Sequence, residues 1–109
     1  MKLVKCIVRP EKLDDTVEAL QSVASGMTVS EVRGHGHQRG QSVVYRGIEY
    51  KVALLPKFMI EIVTEDNKVD DIVRVVSKAA RTGNIGDGRI FVVPVEAAYN
   101  VRTRFMDLD

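Results

Sequence analysis

Two segments with the same local pattern constrain this fold more than any other feature. The segments EKLDDTVEAL (11–20) and NKVDDIVRVV (67–76) share Lys, an aliphatic residue, Asp-Asp, one variable residue and Val in register. Each follows alternating apolar residues, which is the pattern of a strand with one buried face, and each has apolar residues at helical spacing. This weak internal repeat predicts two strand–helix–strand halves that share one sheet.

The predicted order of elements gives a fold class. We predict a strand ending at Pro10, a helix over 11–26, a strand over 27–33, a strand around 58–62, a helix capped by Asp66 or Asn67 and ended by Gly83, and a last strand over 89–95 stopped by Pro94. This order indicates an α+β, ferredoxin-like βαββαβ sandwich with two helices on one face of an antiparallel sheet.

The other sheet face carries Leu3, Ile7 and Met59 among charged residues. One layer of helices cannot cover both faces of a sheet, so we expect this chain to self-associate.

Composition excludes several classes of protein. The chain has 109 residues, which we assign to one domain (1–109), and 45% of them are hydrophobic. The formal net charge is only +1, so there is no general attraction to nucleic acid or to membranes. Cys6 is the single cysteine, which excludes an internal disulfide, and no apolar run approaches the roughly 18 residues of a membrane span. We expect a soluble protein of a reducing compartment, the cytoplasm.

Residues 37–56 join the two halves without a clear core period. Connections of this length within a compact domain are usually functional. The alternative is a hairpin in which SVVY turns at Arg46-Gly47 into IEYKVALL, and such a hairpin would still project as a recognition arm.

Two glycine-rich stretches, GHGHQRGQ (34–41) and TGNIGDGRI (82–90), are the main candidates for a binding site. Gly83, Gly86 and Gly88 permit positive φ angles, and consecutive backbone amides in such a turn can bind an anion beside Arg89. Neither stretch matches a P-loop or a dinucleotide-binding GxGxxG motif. The pair His35-x-His37 suggests zinc, but a closed zinc site normally needs four ligands, and only Cys6 adds to the two histidines.

Longer motifs carry a family resemblance over nearly the whole chain. These motifs are IVRPEKLDD, GMTVSEVRGHG, QRGQ, YRGIEYKVALLPK, IEIV, AARTGNIGDGRIFVVPV and VRT. The sequence resembles the PII signal-transduction proteins, the nitrogen regulatory P-II family. The resemblance implies a homotrimer that binds ATP or ADP between subunits and 2-oxoglutarate together with Mg-ATP. It implies a sensor rather than an enzyme, whose loop 37–56 docks on an ammonium transporter or on nitrogen-metabolism enzymes or regulators, with no nucleic acid and with membrane contact only through a partner transporter.

The resemblance also assigns site residues. Those implied for nucleotide binding are Ile7, Met27, Thr28, Gly34, Gly36, His37, Gln38, Glu61, Val63, Gly86, Asp87, Gly88, Arg89 and Arg102, with Met27, Thr28, Glu61 and Val63 around the adenine and the turn 82–89 at the phosphates. Those implied for 2-oxoglutarate are Gln38, Gly40 and Lys57, where Gln38 also holds Mg²⁺. Tyr50 is the candidate for modification.

Departures from the family pattern concern the nucleotide. His37 and Asn100 stand where arginines that bind phosphate are usual, and Arg89 replaces a lysine. The segment 99–109 lacks the usual Gly-Glu after VRT, so we expect a different cover over the nucleotide, and Ile48 replaces a serine that other members phosphorylate. These departures leave the alternative of a divergent paralogue that regulates nitrogenase or a carbon or anion transporter. The fold class leaves two others, a small phosphatase in which Asp87 activates water and an RNA-binding sheet.

Overall fold

The computed structural model describes residues 1–35, 42–45, 48–51 and 54–105, with side chains for 1–35 and 54–105. The strands are β1 (Lys2–Val8), β2 (Thr28–Gly34), β3 (Ser42–Tyr45), β4 (Ile48–Lys51), β5 (Leu55–Thr64) and β6 (Gly88–Pro94). The helices are α1 (Leu13–Leu20) and α2 (Val69–Ala80), and each follows a short 3₁₀ turn, Pro10–Lys12 or Asp66–Lys68.

The main sheet has the strand order β2-β5-β1-β6, and every neighbouring pair is antiparallel. This arrangement confirms the α+β, ferredoxin-like class. The repeat is also structural, because both helices begin at the aliphatic residue that follows the shared lysine, Leu13 and Val69, and both are preceded by a 3₁₀ turn.

Helix α2 ends at Ala80 rather than at Gly83, and three further details differ from the prediction. Helix α1 ends at Leu20 rather than near Gly26, and it is followed by a turn in which the amides of Val23 and Ala24 both donate to the Leu20 carbonyl oxygen at 3.0 and 2.9 Å. Helix α2 has no side-chain cap, and Asp66 instead accepts a hydrogen bond from the amino terminus at 2.7 Å. Strand β6 includes Pro94 as its last residue.

The core lies between the helices and one face of the sheet. Its buried members are Val4, Cys6, Val8, Leu20, Ile60, Ile62, Ile72, Val76 and Ala80. Cys6 points into this core, and burial raises the pKa of its thiol to about 11. A thiol in such surroundings is chemically inert.

The opposite face of the sheet, the open face, is less covered. Leu3, Ile7 and Met59 are only half-buried there, as the sequence predicted. On the edge strand β6, Phe91 and Val93 pair with Lys5 and Leu3 and therefore lie on this same face. Phe91 is 44% and Val93 40% exposed.

Strands β3 and β4 form a two-stranded antiparallel sheet, in which Tyr45 pairs with Ile48 and Ser42 with Lys51. The hairpin alternative for part of the segment 37–56 is therefore correct, and Leu55 and Pro56 belong to β5. Within the described ranges no helix is both long and apolar enough to cross a membrane.

Candidate functional site

Gly34 and His35, the described residues of the first glycine-rich stretch, line one groove with residues of the second stretch at one end of the main sheet. Antiparallel pairing brings the end of β2, the start of β5, the end of β1 and the start of β6 to this end. They enclose a groove of about 520 Å³, the cationic groove, lined by Ile7, Gly34, His35, Leu55, Lys57, Ile85, Gly86, Gly88, Arg89 and Phe91. The described part of the first stretch therefore lies beside the second within a single chain.

Lys57 supplies buried positive charge to the cationic groove. The residue is only 9% exposed, and its Nζ donates a hydrogen bond to the carbonyl oxygen of Gly86 at 3.0 Å. Burial lowers the pKa of Lys57, and the nearby Arg9 guanidinium lowers it further. An anion beside Lys57 would offset both penalties, so the groove favours a negatively charged ligand.

The turn 82–89 is built around the carboxylate of Asp87. The amides of Thr82 and Gly83 donate to its Oδ2 at 2.8 and 2.9 Å. The Thr82 hydroxyl and Arg9 Nε donate to Oδ1, the latter at 3.1 Å. The Thr82 hydroxyl is the main reason why the pKa of Asp87 lies far below its usual range, and the two amides and Arg9 add to the effect.

This cluster, Arg9, Thr82, Gly83 and Asp87, is called the Asp87 cluster below. The hydrogen bonds of this cluster show that the Asp87 carboxylate stabilises the turn. A base that activates water needs a pKa near the working pH, and the pKa of Asp87 is shifted in the opposite direction.

The glycines of this turn have the backbone conformations that the sequence predicted. Gly83, Gly86 and Gly88 have φ angles of 91°, 97° and 130°. Gly88 also lies against β1, where an added Cβ would be 1.8 Å from the carbonyl oxygen of Ile7. The close approach of β6 to β1 at this point therefore requires glycine.

A second pocket lies at the other end of β1 and β5. It has a volume of about 410 Å³ and is lined by Leu3, Ser25, Gly26, Met27, Thr28, Glu61 and Val63. The four residues that the resemblance places around an adenine are thus neighbours in space. This Met27 pocket is separated from the cationic groove by the length of β1 between Leu3 and Ile7, roughly 13 Å at about 3.3 Å per residue.

Arg102 lines neither the cationic groove nor the Met27 pocket. It lies in an exposed turn after β6, where Asn100 Oδ1 accepts hydrogen bonds from the amides of Arg102 and Thr103 at 2.9 and 3.2 Å. The predicted residues Gly36, His37, Gln38 and Gly40 lie outside the described residues. Tyr50 is in β4, paired with Val43, and its side chain is likewise outside the description.

Sequence reasoning missed Arg9 and Thr82. Arg9 is 8% exposed and reaches the turn from the end of β1, and a contact across 78 residues leaves no local signal. Thr82 had a signal, because it begins the stretch TGNIGDGRI, but the glycines dominate that pattern. No group of three or more potential metal-ligating side chains occurs in the parts of the chain whose side chains are described.

Comparison with known proteins identifies the family. The profile of the family described as nitrogen regulatory protein P-II matches residues 1–104. The chain belongs to the P-II family. It is 55% identical to the nitrogen regulatory protein P-II of Microchaete diplosiphon and 48% identical to the nitrogen regulatory protein GlnK of Escherichia coli K12, each over 104 residues that cover 94% of this chain and 93% of the relative.

Membership confirms the resemblance found in the sequence and supports a role in nitrogen-regulation signalling. P-II proteins are regulatory proteins and not enzymes, so the phosphatase alternative is set aside, in agreement with the engaged Asp87 carboxylate.

Proposed function

We propose that this P-II protein senses ATP or ADP together with 2-oxoglutarate and reports their levels to a nitrogen-metabolism partner through residues 37–56. The observation that carries the proposal is the cationic groove. In it a buried lysine and Arg89 flank a turn with three glycines at positive φ, which is the chemistry of an anion site.

The Met27 pocket supports a nucleotide as the ligand. It combines the apolar side chains of Met27 and Val63 with the polar side chains of Thr28 and Glu61, a set suited to a flat base with hydrogen-bonding edges. Because the family resemblance implies a nucleotide site between subunits, we infer that a nucleotide uses the pocket of one copy and the groove of another. We therefore propose a homotrimer, in which the open face with Phe91 and Val93 packs between subunits.

Lys57 and Gln38 have separate roles toward the proposed effectors. Lys57 pairs with a carboxylate of 2-oxoglutarate beside the nucleotide phosphates. Gln38 would contribute an oxygen to Mg²⁺, and the bound metal would supply positive charge to the site. Each ligand changes the output only if it binds one state of the segment 37–56 more tightly than another. The partner is an ammonium transporter or a nitrogen-metabolism enzyme or regulator.

One observation favours a second candidate, a P-II paralogue with an altered nucleotide response. Asn100 stands in place of a phosphate-binding arginine, and its side chain is committed to the turn that contains Arg102. Loss of one charge-assisted contact weakens binding by about 1.5–3 kcal/mol. A paralogue of this kind would regulate another target, such as nitrogenase or a carbon or anion transporter.

Calorimetric titration of the purified protein tests the proposal. ATP and ADP are titrated with and without Mg²⁺, and 2-oxoglutarate is then titrated into each mixture. Binding of 2-oxoglutarate only with Mg-ATP supports the full sensor. Nucleotide binding without any response to 2-oxoglutarate supports the altered paralogue, and the absence of nucleotide binding contradicts both.

A further inference from the structure

Two successive carbonyl groups of the turn 82–89 face buried cations. The carbonyl oxygen of Ile85 accepts a hydrogen bond from Arg9 Nη2 at 2.8 Å, and that of Gly86 accepts one from Lys57 Nζ at 3.0 Å. The described backbone has no cis peptide bond, so each carbonyl points opposite to the N–H of the next residue. The amides of Gly86 and Asp87 therefore point away from the two cations.

Thr82 joins three points of this turn. Its hydroxyl donates to Asp87 Oδ1 and accepts from the amide of Asn84 at 3.2 Å, and its own amide donates to Asp87 Oδ2 at 2.8 Å. Thr82 directly follows Arg81, the C-cap residue of α2, so the turn begins at a rigid helix end. The side chain is uncharged and does not line the cationic groove.

We propose that Thr82 is a positioning residue for anion binding by this turn. Its hydroxyl holds the Asp87 carboxylate, and the carboxylate in turn fixes the orientation of the Gly86 and Asp87 amides that contact the phosphates. The inference rests on the proposed function, which places nucleotide phosphates at this turn. It adds a residue that acts on the ligand through Asp87 and not by its own contact.

Substitution at Thr82 separates the effect of the hydroxyl from the effects of charge and of side-chain size. Thr82→Val keeps the size of the side chain and removes the hydroxyl, while Thr82→Ser keeps the hydroxyl. We expect Thr82→Val to weaken binding of ATP and of inorganic triphosphate about tenfold, the effect of one hydrogen bond to a charged group. Thr82→Ser restores binding to within about threefold. Ser22→Ala, which removes a surface hydroxyl bonded to the Ala19 carbonyl oxygen at the end of α1, serves as the matched control.

A measurement without ligand adds a readout that general destabilisation does not produce. In ¹H–¹⁵N spectra of the free protein, we expect Thr82→Val to shift the amide signals of Gly86 and Asp87, and Thr82→Ser to return them toward their original positions. Should Thr82→Val not fold, Asp87→Asn takes its place, because it weakens the same contacts.

Three results overturn the inference. Wild-type affinity in Thr82→Val excludes a positioning role, and equal weakening in Thr82→Ser, which keeps the hydroxyl, shows that the hydroxyl does not carry the effect. If the wild-type protein binds neither ATP nor triphosphate, the proposed function fails and this inference fails with it. The wild-type titration therefore distinguishes the two failures.

Discussion

Lys57 and Gly86 are 29 residues apart in the chain, yet Lys57 Nζ lies 3.0 Å from the Gly86 carbonyl oxygen and donates a hydrogen bond to it. The contact joins the start of β5 to the turn that precedes β6. A ligand that binds Lys57 therefore also affects its hydrogen bond to the turn proposed to bind phosphates.

The lowered pKa of Lys57 predicts that 2-oxoglutarate binding takes up protons at alkaline pH. Burial and Arg9 favour the neutral amine in the free protein, whereas a bound carboxylate favours the charged form. Affinity should thus fall as the pH rises through the pKa of the free protein, with no proton uptake below it. Calorimetry at pH 7.5 and pH 9.5 in buffers of different ionisation enthalpy measures this uptake.

Two variants control the Lys57 experiment. Lys57→Ala removes the charge and should abolish 2-oxoglutarate binding. Lys57→Arg stays charged throughout this pH range, so any binding it retains should show no proton uptake. Proton uptake that persists in Lys57→Arg would assign the effect to another group.

Three glycine-to-alanine variants separate steric contact from backbone conformation. At Gly88 both operate, since φ is +130° and the added Cβ would meet the Ile7 carbonyl oxygen at 1.8 Å. At Gly83 only the φ of +91° is unfavourable, and at Gly26 an added Cβ meets nothing within 4 Å. We expect losses in the free energy of unfolding of about 3 kcal/mol for Gly88→Ala, about 1 kcal/mol for Gly83→Ala and about 0.5 kcal/mol or less for Gly26→Ala.

Urea denaturation of the three proteins measures these losses. A value for Gly88→Ala no larger than that for Gly83→Ala would mean that β6 moves away from β1 at little cost. The close approach at Ile7 would then not be what requires glycine.

The sequence predicted the fold well because its main signals are local. Alternation in β1 and β5, helical spacing in α1 and α2, and the shared Asp-Asp segments all depend on neighbours in the chain. The cap of α2 was predicted wrongly for the opposite reason. Aspartate commonly caps helices, but the amino terminus lies close in space and donates a hydrogen bond to the Asp66 carboxylate instead.

The site was predictable only where residue type limits the backbone. The glycines of the turn 82–89 indicated positive φ angles by residue type alone. In contrast, the contact of Arg9 with Asp87 and the burial of Lys57 arise from strand pairing over long stretches of chain. The family resemblance assigned Met27, Thr28, Glu61 and Val63 to one site, and no local pattern would have grouped them.

Acid should destabilise the protein partly through Asp87. The pKa of this carboxyl is lower in the folded protein than in the unfolded chain, because of the Thr82 hydroxyl, the two amides and Arg9. Its contribution to stability is therefore present above the unfolded pKa of 3.8 and is lost as the pH falls below that value. Asp87→Asn should be less stable at pH 6 and should lose less stability than the wild type between pH 4 and pH 2.5.

Denaturation with urea across this pH range tests the Asp87 prediction, with Glu96→Gln at an exposed carboxylate after β6 as control. If the free energies of unfolding of Asp87→Asn and the wild type fall in parallel below pH 4, Asp87 does not contribute to the acid dependence of stability.

His37 provides a prediction that the family pattern motivates. A histidine with an ordinary pKa of about 6.5 is mostly neutral at pH 8, whereas an arginine remains charged. His37→Arg should therefore bind ATP about tenfold more tightly at pH 8 and show a smaller gain at pH 6. Titration of ATP at both pH values measures the difference, and equal affinities of the two proteins at both would remove His37 from the phosphate site.

Two adjacent valines of β6 test the proposed trimer. Val92 and Val93 are nearly equally exposed, at 43% and 40%, but they lie on opposite faces of the sheet. Val93 pairs with Leu3 on the open face, while Val92 pairs with Val4 on the face toward the helices. If the open face packs between subunits, Val93→Asp places an unpaired charge in that interface and should yield monomers, whereas Val92→Asp should remain trimeric. Light scattering during size-exclusion chromatography measures the mass of each variant. A trimeric Val93→Asp protein would place the subunit contact elsewhere on the molecule.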